Sequence, residues 1–343
     1  MTGLKQEYDE VFASLPAASD PMALSLNENP FSPLPAVKSA LALSLESSNR
    51  YPEFLPDRLR RMVADHIGVD QDQVVLGAGA TGVVMQALHA ITSPGDRMVM
   101  SLPTFDGYPI FAHMARLESV AVGLDDRGHH DLDAMAAAAA NSRVVVLCRP
   151  HNPTGTLEPQ SEVGRFRSRV PRDAIVLLDE AYIEFVDPAH RIDARALVER
   201  HPNVLVLRTF SKAYGLAGLR IGYGLGNPEL TRELWTMQLP FGVGIPSLVA
   251  VAASYRAEYE LQQRIRMITA ERRFLRTRLR LMGVHSTDAH ANFIYLPATA
   301  RPWRQVFDGT GLAVRHYADG SVRITIGTRQ SSRAVLAAVG STT

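Results

Sequence analysis

The sequence predicts an α/β fold: a large domain built on a mostly parallel sheet covered by helices, and a smaller α+β domain. Nearly all-apolar, β-branched runs recur from about residue 56 onward, at VVLG (74–77), RMVM (97–100), RVVVLC (143–148), AIVLLD (174–179) and NVLVLR (203–208). Amphipathic stretches such as DRLRRMVADHIG and RELWTMQL separate them. Strands without a polar face are buried on both sides, and helices between them make the sheet parallel. After about residue 245 the pattern changes to the arginine-rich helical stretch LQQRIRMITAERRFLRTRLRLM, the short strands ANFIYLP, LAVR and VRITIG, and a last helix. The expected division is an N-terminal arm with part of the small domain over 1–45, the large domain over 46–245 and the small C-terminal domain over 246–343. The turn-forming NENPFSPLP of the arm folds onto the small domain in this reading.

The 343 residues are 46% hydrophobic and 21% charged, an ordinary globular balance. Lys plus Arg total 36 against 35 Asp plus Glu, which leaves no charge footprint for nucleic acid or an anionic membrane and points to a small-molecule partner. The single cysteine, Cys148, excludes an intramolecular disulfide and lies in an apolar run, where a packed thiol is expected rather than a nucleophile. No metal-ligand cluster is evident. No apolar stretch is long enough for a membrane span, and the acidic start MTGLKQEYDEVFASLP does not resemble a leader, so a cytoplasmic location is expected. The alanine run after Met135 favours helix and carries no chemistry.

In open parallel sheets, ligands sit beyond the carboxyl ends of the strands. There the sequence places, in chain order, GAGATG (77–82), SLPTFDGY, RPHNPTG, DEAYIEF and TFSKAYG. Lys212 in the last of these stands among small and polar residues. A lysine whose pKa is lowered by burial or a nearby cation can form a Schiff base with an aldehyde. Thr209, Ser211 and Arg220 supply hydroxyls and a guanidinium suited to phosphate. An aldehyde carrying a phosphate is pyridoxal 5'-phosphate. Its pyridine nitrogen calls for a carboxylate, and Asp179 closes a strand. Its phenolic oxygen calls for donors, and Asn152 and Tyr182 stand on adjacent loops; Phe105 can cover the ring, and the GAGATG turn with Thr81 can offer N–H groups and a hydroxyl to the phosphate. Each signal alone has a plain reading as a tight turn, a helix cap or a β-turn. Their succession on consecutive strand ends carries the case.

From SLNENPFSPLP and NRYPE through GAGAT, PTFDGY, HNPTGT, LDEAYIEF and RTFSKAYGLAGLRIGY to ANFIYLP and VRITIGT, the chain resembles the fold-type I pyridoxal-phosphate aminotransferases. Within them it is most similar to the histidinol-phosphate aminotransferase branch and its aromatic-amino-acid-using relatives. The resemblance implies a seven-stranded, aspartate-aminotransferase-like large domain. It implies Lys212 as Schiff-base lysine and proton shuttle, Asp179 as partner of the pyridine nitrogen, and Asn152 with Tyr182 on the phenolic oxygen. Ala80, Thr81, Thr209, Ser211 and Arg220 match the phosphate cup, and Tyr51 matches a residue that serves the neighbouring subunit's cofactor, which implies a homodimer with shared sites. Arg323 matches the arginine that grips the substrate α-carboxylate, with Asn29 and Asn292 beside it. Arg315 either binds an anionic side chain or forms a structural ion pair.

The implied reaction moves an amino group between an L-amino acid or amino alcohol phosphate and a 2-oxo acid in two displacements. Histidinol-phosphate users carry a tyrosine about a dozen residues before the NENP motif; here the segment reads LPAASDPMALSLNENP, and the nearest tyrosine, Tyr8, is farther upstream. The segment PFGVGIPS (240–247) is apolar and Gly-rich where the family carries polar residues. Both departures turn the expectation toward an aromatic or apolar amino acid, or a specialised biosynthetic substrate. A phosphothreonine decarboxylase and an effector-sensing regulator share the fold; AYGLAGLRIGY fits the transaminases better, and no helix-turn-helix module is legible before NENPF.

Overall fold

The structure, a computed structural model, describes residues 14–341. Tyr8, most of the acidic start and residues 1–13 of the expected arm lie outside the described residues.

A seven-stranded sheet has the order β2-β8-β7-β6-β5-β3-β4, formed by β2 (Val74–Ala78), β3 (Arg97–Leu102), β4 (Glu118–Gly123), β5 (Val144–Cys148), β6 (Ile175–Asp179), β7 (Val204–Thr209) and β8 (Ile221–Gly226). Only β8 runs antiparallel to its neighbours β2 and β7. The apolar runs are apolar throughout because each face meets its own core. Val144, Val146 and Cys148 pack in one cluster, while Val145 and Leu147 pack in another on the opposite face. Strands β4 and β8 did not stand out in the sequence. β4 is an edge strand with mostly exposed side chains, and β8 reads IGYGLG, a glycine-rich run that resembles a loop.

A four-stranded sheet has the order β1-β10-β11-β9, from β1 (Ala23–Leu24), β9 (Phe293–Leu296), β10 (Ala313–His316) and β11 (Val322–Thr325). Its strands come from both ends of the chain, and β1 pairs in parallel with β10. The arginine-rich stretch forms the helix Glu258–Leu281, which buries Leu261, Ile265, Ile268, Leu275 and Leu279 on one stripe against this sheet's core. The alanine run lies in the helix Leu132–Ala139, started by Asp131, whose side chain accepts from the Ala134 N–H at 2.9 Å. Among the described residues, no helix is long and apolar enough to cross a membrane.

The parallel strands end at one rim, and two glycines let the backbone close there. A Cβ at Gly222 of β8 would lie 2.4 Å from the Ala80 N and 2.6 Å from the Gly79 carbonyl carbon, so the helix Gly79–Ile91 can start against the sheet only if residue 222 has no side chain. Gly79 itself has φ +74°. Gly222→Ala therefore lowers unfolding stability by about 1–3 kcal/mol, read from the urea midpoint. An unchanged midpoint would show that the helix start can shift away at no cost.

Candidate active site

At that rim a cavity of about 350 Å3 lies between the carboxyl ends of the large sheet and the four-stranded sheet. Ala80, Thr81, Phe105, Asn152, Asp179, Tyr182, Thr209, Ser211, Lys212, Arg220, Arg315 and Arg323 all line it. Residues as far apart in sequence as 80 and 323 thus meet in one space.

Lys212 is half-buried, and its Nζ donates to the Leu26 carbonyl at 3.1 Å. Burial lowers its pKa to about 8; the Arg323 and Arg220 charges push in the same direction, and Glu28 and Asp179 oppose them. Asp179 ends β6 beside Cys148, its register partner on β5. Burial raises the Asp179 carboxyl pKa against the pull of its donors: the Tyr108 hydroxyl donates to Oδ2 at 2.6 Å, and the Ala181 N–H donates to Oδ1 at 3.0 Å. The Cys148 thiol lies 3.8 Å from Oδ2, and burial pushes its pKa up, in keeping with a packed thiol rather than a nucleophile.

Thr209, Ser211, Thr81 and Arg220 form a cup. The Thr209 hydroxyl donates to Ser211 Oγ at 3.0 Å, and the Arg220 guanidinium reaches Ser211 Oγ and Thr81 Oγ1, each at 3.4 Å. The helix Gly79–Ile91 opens onto the cup with no side-chain cap on its first N–H groups, which makes that end receptive to an anion. Arg220 sits at φ 48°, a left-handed conformation, at the turn into β8.

Arg323 is 7% exposed. One of its guanidinium nitrogens donates to Asn152 Oδ1 and another to the Ser25 carbonyl, while Nε is buried without a partner. Tyr182 accepts from Asn27 Nδ2 at 3.0 Å, and burial raises its pKa. Phe105 stands edge-on to Tyr108, with ring centroids 5.8 Å apart. Arg315 donates to Asp106 Oδ2 at 2.7 Å.

Two residues expected beside Arg323 do not line the cavity, and Tyr51, expected at a neighbouring subunit's cofactor, lies away from it. Asn29 does not reach the cavity; its Nδ2 donates to the carbonyls of Lys212 and Ala213, at 3.2 and 3.0 Å. Asn292 is fully buried behind the wall and donates to the carbonyls of Asn27 and Glu28. The asparagine of NENP that faces the cavity is Asn27. Tyr51 is 82% exposed, with its ring 4.8 Å from that of Phe241, away from this chain's own cavity. Sequence reasoning missed Tyr108, although it stands in the PTFDGY motif one helical turn after Phe105.

The donor set fits pyridoxal phosphate. An amine of lowered pKa, a buried carboxylate, a cup of hydroxyls, guanidinium and helix N–H groups, and a flat aromatic side chain surround one cavity. The comparisons with known proteins agree with this fit. Residues 19–339 match the family described as aminotransferase class I and II. The chain is 40% identical to the aromatic amino acid aminotransferase of Cutibacterium acnes, over 89% of this chain and 87% of the relative. The fold matches that of histidinol-phosphate aminotransferase from Sinorhizobium meliloti in complex with pyridoxal-5'-phosphate, with TM-score 0.87, 24% identity and 97% of each chain covered. It also matches a tetra mutant of Thermus thermophilus aspartate aminotransferase, with TM-score 0.82, 18% identity and coverage of 95% and 98%. The chain belongs to the class I and II aminotransferase family: it is a pyridoxal-phosphate-dependent transaminase with the aspartate-aminotransferase-like fold of type I.

Proposed function

We propose that this transaminase moves the amino group of an aromatic L-amino acid to a 2-oxo acid, in two half-reactions at the one cavity. The observation that carries this reading is the pair of apolar side chains Leu26 and Phe111, which line the same cavity as Arg323. An arginine for a carboxylate and an apolar, aromatic lining in one cavity suit a substrate with one anionic end and one flat apolar end. The name of the Cutibacterium acnes relative supports the same class. Histidinol phosphate is the second reading, favoured by Arg315 in the wall.

Bound pyridoxal phosphate supplies an aldehyde carbon for the amino group and a pyridine ring that draws electron density from the substrate Cα. In this proposal Thr81, Thr209, Ser211, Arg220 and the N–H groups from Ala80 onward hold its phosphate. Asp179 partners the ring nitrogen, Asn152 and Tyr182 the phenolic oxygen, and Phe105 covers the ring. Arg323 holds the substrate α-carboxylate and fixes the orientation of the Cα–H bond. Lys212 Nζ takes the proton from Cα; a pKa of about 8 keeps a useful fraction of neutral amine near neutral pH. A homodimer in the cytoplasm belongs to the same proposal. Tyr51, Phe54, Leu239 and Phe241 form an exposed apolar group that a second copy would cover, bringing Tyr51 to the partner's cavity.

The test is a half-reaction screen. Purified holoenzyme mixed with phenylalanine or tyrosine loses its cofactor absorbance band quickly, and histidinol phosphate and aliphatic amino acids react at least tenfold more slowly; the reverse order supports the second reading. Arg323→Gln lowers kcat/KM for phenylalanine about a hundredfold, because a buried charge contact to the carboxylate is lost. Steady-state kinetics check this, and a loss of only a few-fold would move the carboxylate site elsewhere. Lys212 is charged below its pKa and neutral above it. The rate at which apoprotein captures pyridoxal phosphate therefore climbs as pH rises through about 8 and levels off above it, whereas an unshifted amine would keep climbing toward 10.5.

A further inference from the structure

Two arginines stand side by side in the cavity wall, and their surroundings differ. Strands β10 and β11 pair antiparallel with Arg315 directly opposite Arg323, so both side chains project from the same face of the sheet. Arg323 has only neutral hydrogen-bond partners, Asn152 Oδ1 and the Ser25 carbonyl. Arg315 already has an anion: Asp106 Oδ2 is 2.7 Å from its guanidinium, and the Tyr317 ring lies 5.7 Å from it. The two positively charged neighbours repel, and Asp106 offsets the charge of one of them.

The backbone at Asp106 is shaped by its own loop. It follows Phe105 directly, and the Tyr108 N–H donates to the Phe105 carbonyl at 3.0 Å, closing the turn around it. Residue 107 has no room for a side chain, since a Cβ there would lie 2.4 Å from the Phe105 ring and 2.8 Å from the Phe111 ring. One short loop thus presents an aromatic ring and a carboxylate to the same cavity. The Phe111 ring, on the helix that follows, gives an apolar side chain a surface to pack on. The carboxylate meets an anionic side chain with like charge and occupies the guanidinium that would have received it.

We propose that Asp106 is a specificity-determining residue: by neutralising Arg315 it selects uncharged substrate side chains over anionic ones. This rests on the aromatic-transaminase reading above. An anionic group that reaches the remaining donors of Arg315 comes to lie beside the Asp106 carboxylate, whose like charge opposes it. An aromatic ring meets no such opposition. The side chains of Arg315 and Asp106 are 45% and 58% exposed, so water screens the pair and the selectivity is moderate.

The experiment uses two unreactive carboxylates, 3-phenylpropionate and glutarate, titrated calorimetrically into wild-type holoenzyme, D106N and D106N/R315Q. Asp106 makes no side-chain capping bond to the helix Gly107–Met114, so asparagine removes the charge without removing a cap. The expected result is that the ratio of the glutarate Kd to the 3-phenylpropionate Kd falls roughly five- to twentyfold in D106N and returns toward the wild-type value in D106N/R315Q. A ratio that does not move in D106N, or a gain that survives removal of Arg315, overturns the role of Asp106. Wild-type holoenzyme that fails to bind 3-phenylpropionate overturns the aromatic reading itself, and the inference falls with it.

Discussion

The cavity exists because residues 25–29 are tied across the gap between the two sheets. The Asn27 N–H donates to Thr325 Oγ1 of β11, and its side chain donates to the Tyr182 hydroxyl just after β6 of the seven-stranded sheet. Asn29 holds the backbone of Lys212 and Ala213, Asn292 holds the carbonyls of Asn27 and Glu28, and Arg323 holds the Ser25 carbonyl. These bonds join the segment to β11, to Tyr182, to the loop after β7 and to the residue before β9. The segment lies against Lys212, whose Nζ donates to the Leu26 carbonyl, and burial of that amine lowers its pKa.

Charge is gathered around this cavity: Arg220 reaches the hydroxyls of the cup, and Lys212 and Arg323 line the same space. Three cations in so small a space would repel one another in the empty cavity. Asp179 and Glu28 act against that at Lys212, and Asp106 acts against it at Arg315. The net charge of the whole chain, +1, says nothing of this local balance, because the cavity gathers residues scattered from 28 to 323.

The parallel core was legible in the sequence because a strand buried on both faces carries few polar side chains, a constraint that leaves a nearly continuous apolar run. The rim was legible because glycine, proline and hydroxyl residues mark the loops where such runs stop. Strand β8 was hidden because Gly222 must be small for reasons of backbone contact, and small residues in a row look like a turn. Asn27 and Asn29 differ in a way that spacing does not encode. Asn27 has φ 56°, a left-handed conformation that asparagine tolerates, and this local twist decides which of the two side chains faces the cavity. Tyr51 could be assigned to a neighbouring subunit only through the resemblance, since nothing near it in sequence encodes what lies across an interface. Tyr108 was passed over because a tyrosine inside a helix beginning with apolar neighbours reads as core, and it is core: it is buried, and its hydroxyl still reaches Asp179.

That contact bears on how the site can be ready before any ligand enters. A carboxylate has two oxygens, each able to accept more than one hydrogen bond. The Tyr108 hydroxyl takes one site on Oδ2 and the Ala181 N–H takes one on Oδ1, so the plane of the Asp179 carboxyl is set from both sides while acceptor capacity remains toward the cavity. Burial alone would favour the protonated acid, and the two donors act against it. A positively charged ring nitrogen placed there would add to their effect and meet a partner that no longer has to be ordered. Arg323 follows the same logic at the other end. Asn152 and the Ser25 carbonyl hold its guanidinium in place with neutral contacts, which orient the group without cancelling its charge. Neutral partners thus orient Arg323 without offsetting its charge, whereas at Arg315 a carboxylate offsets it, and that difference is the basis for proposing that the first receives an anion and the second disfavours one.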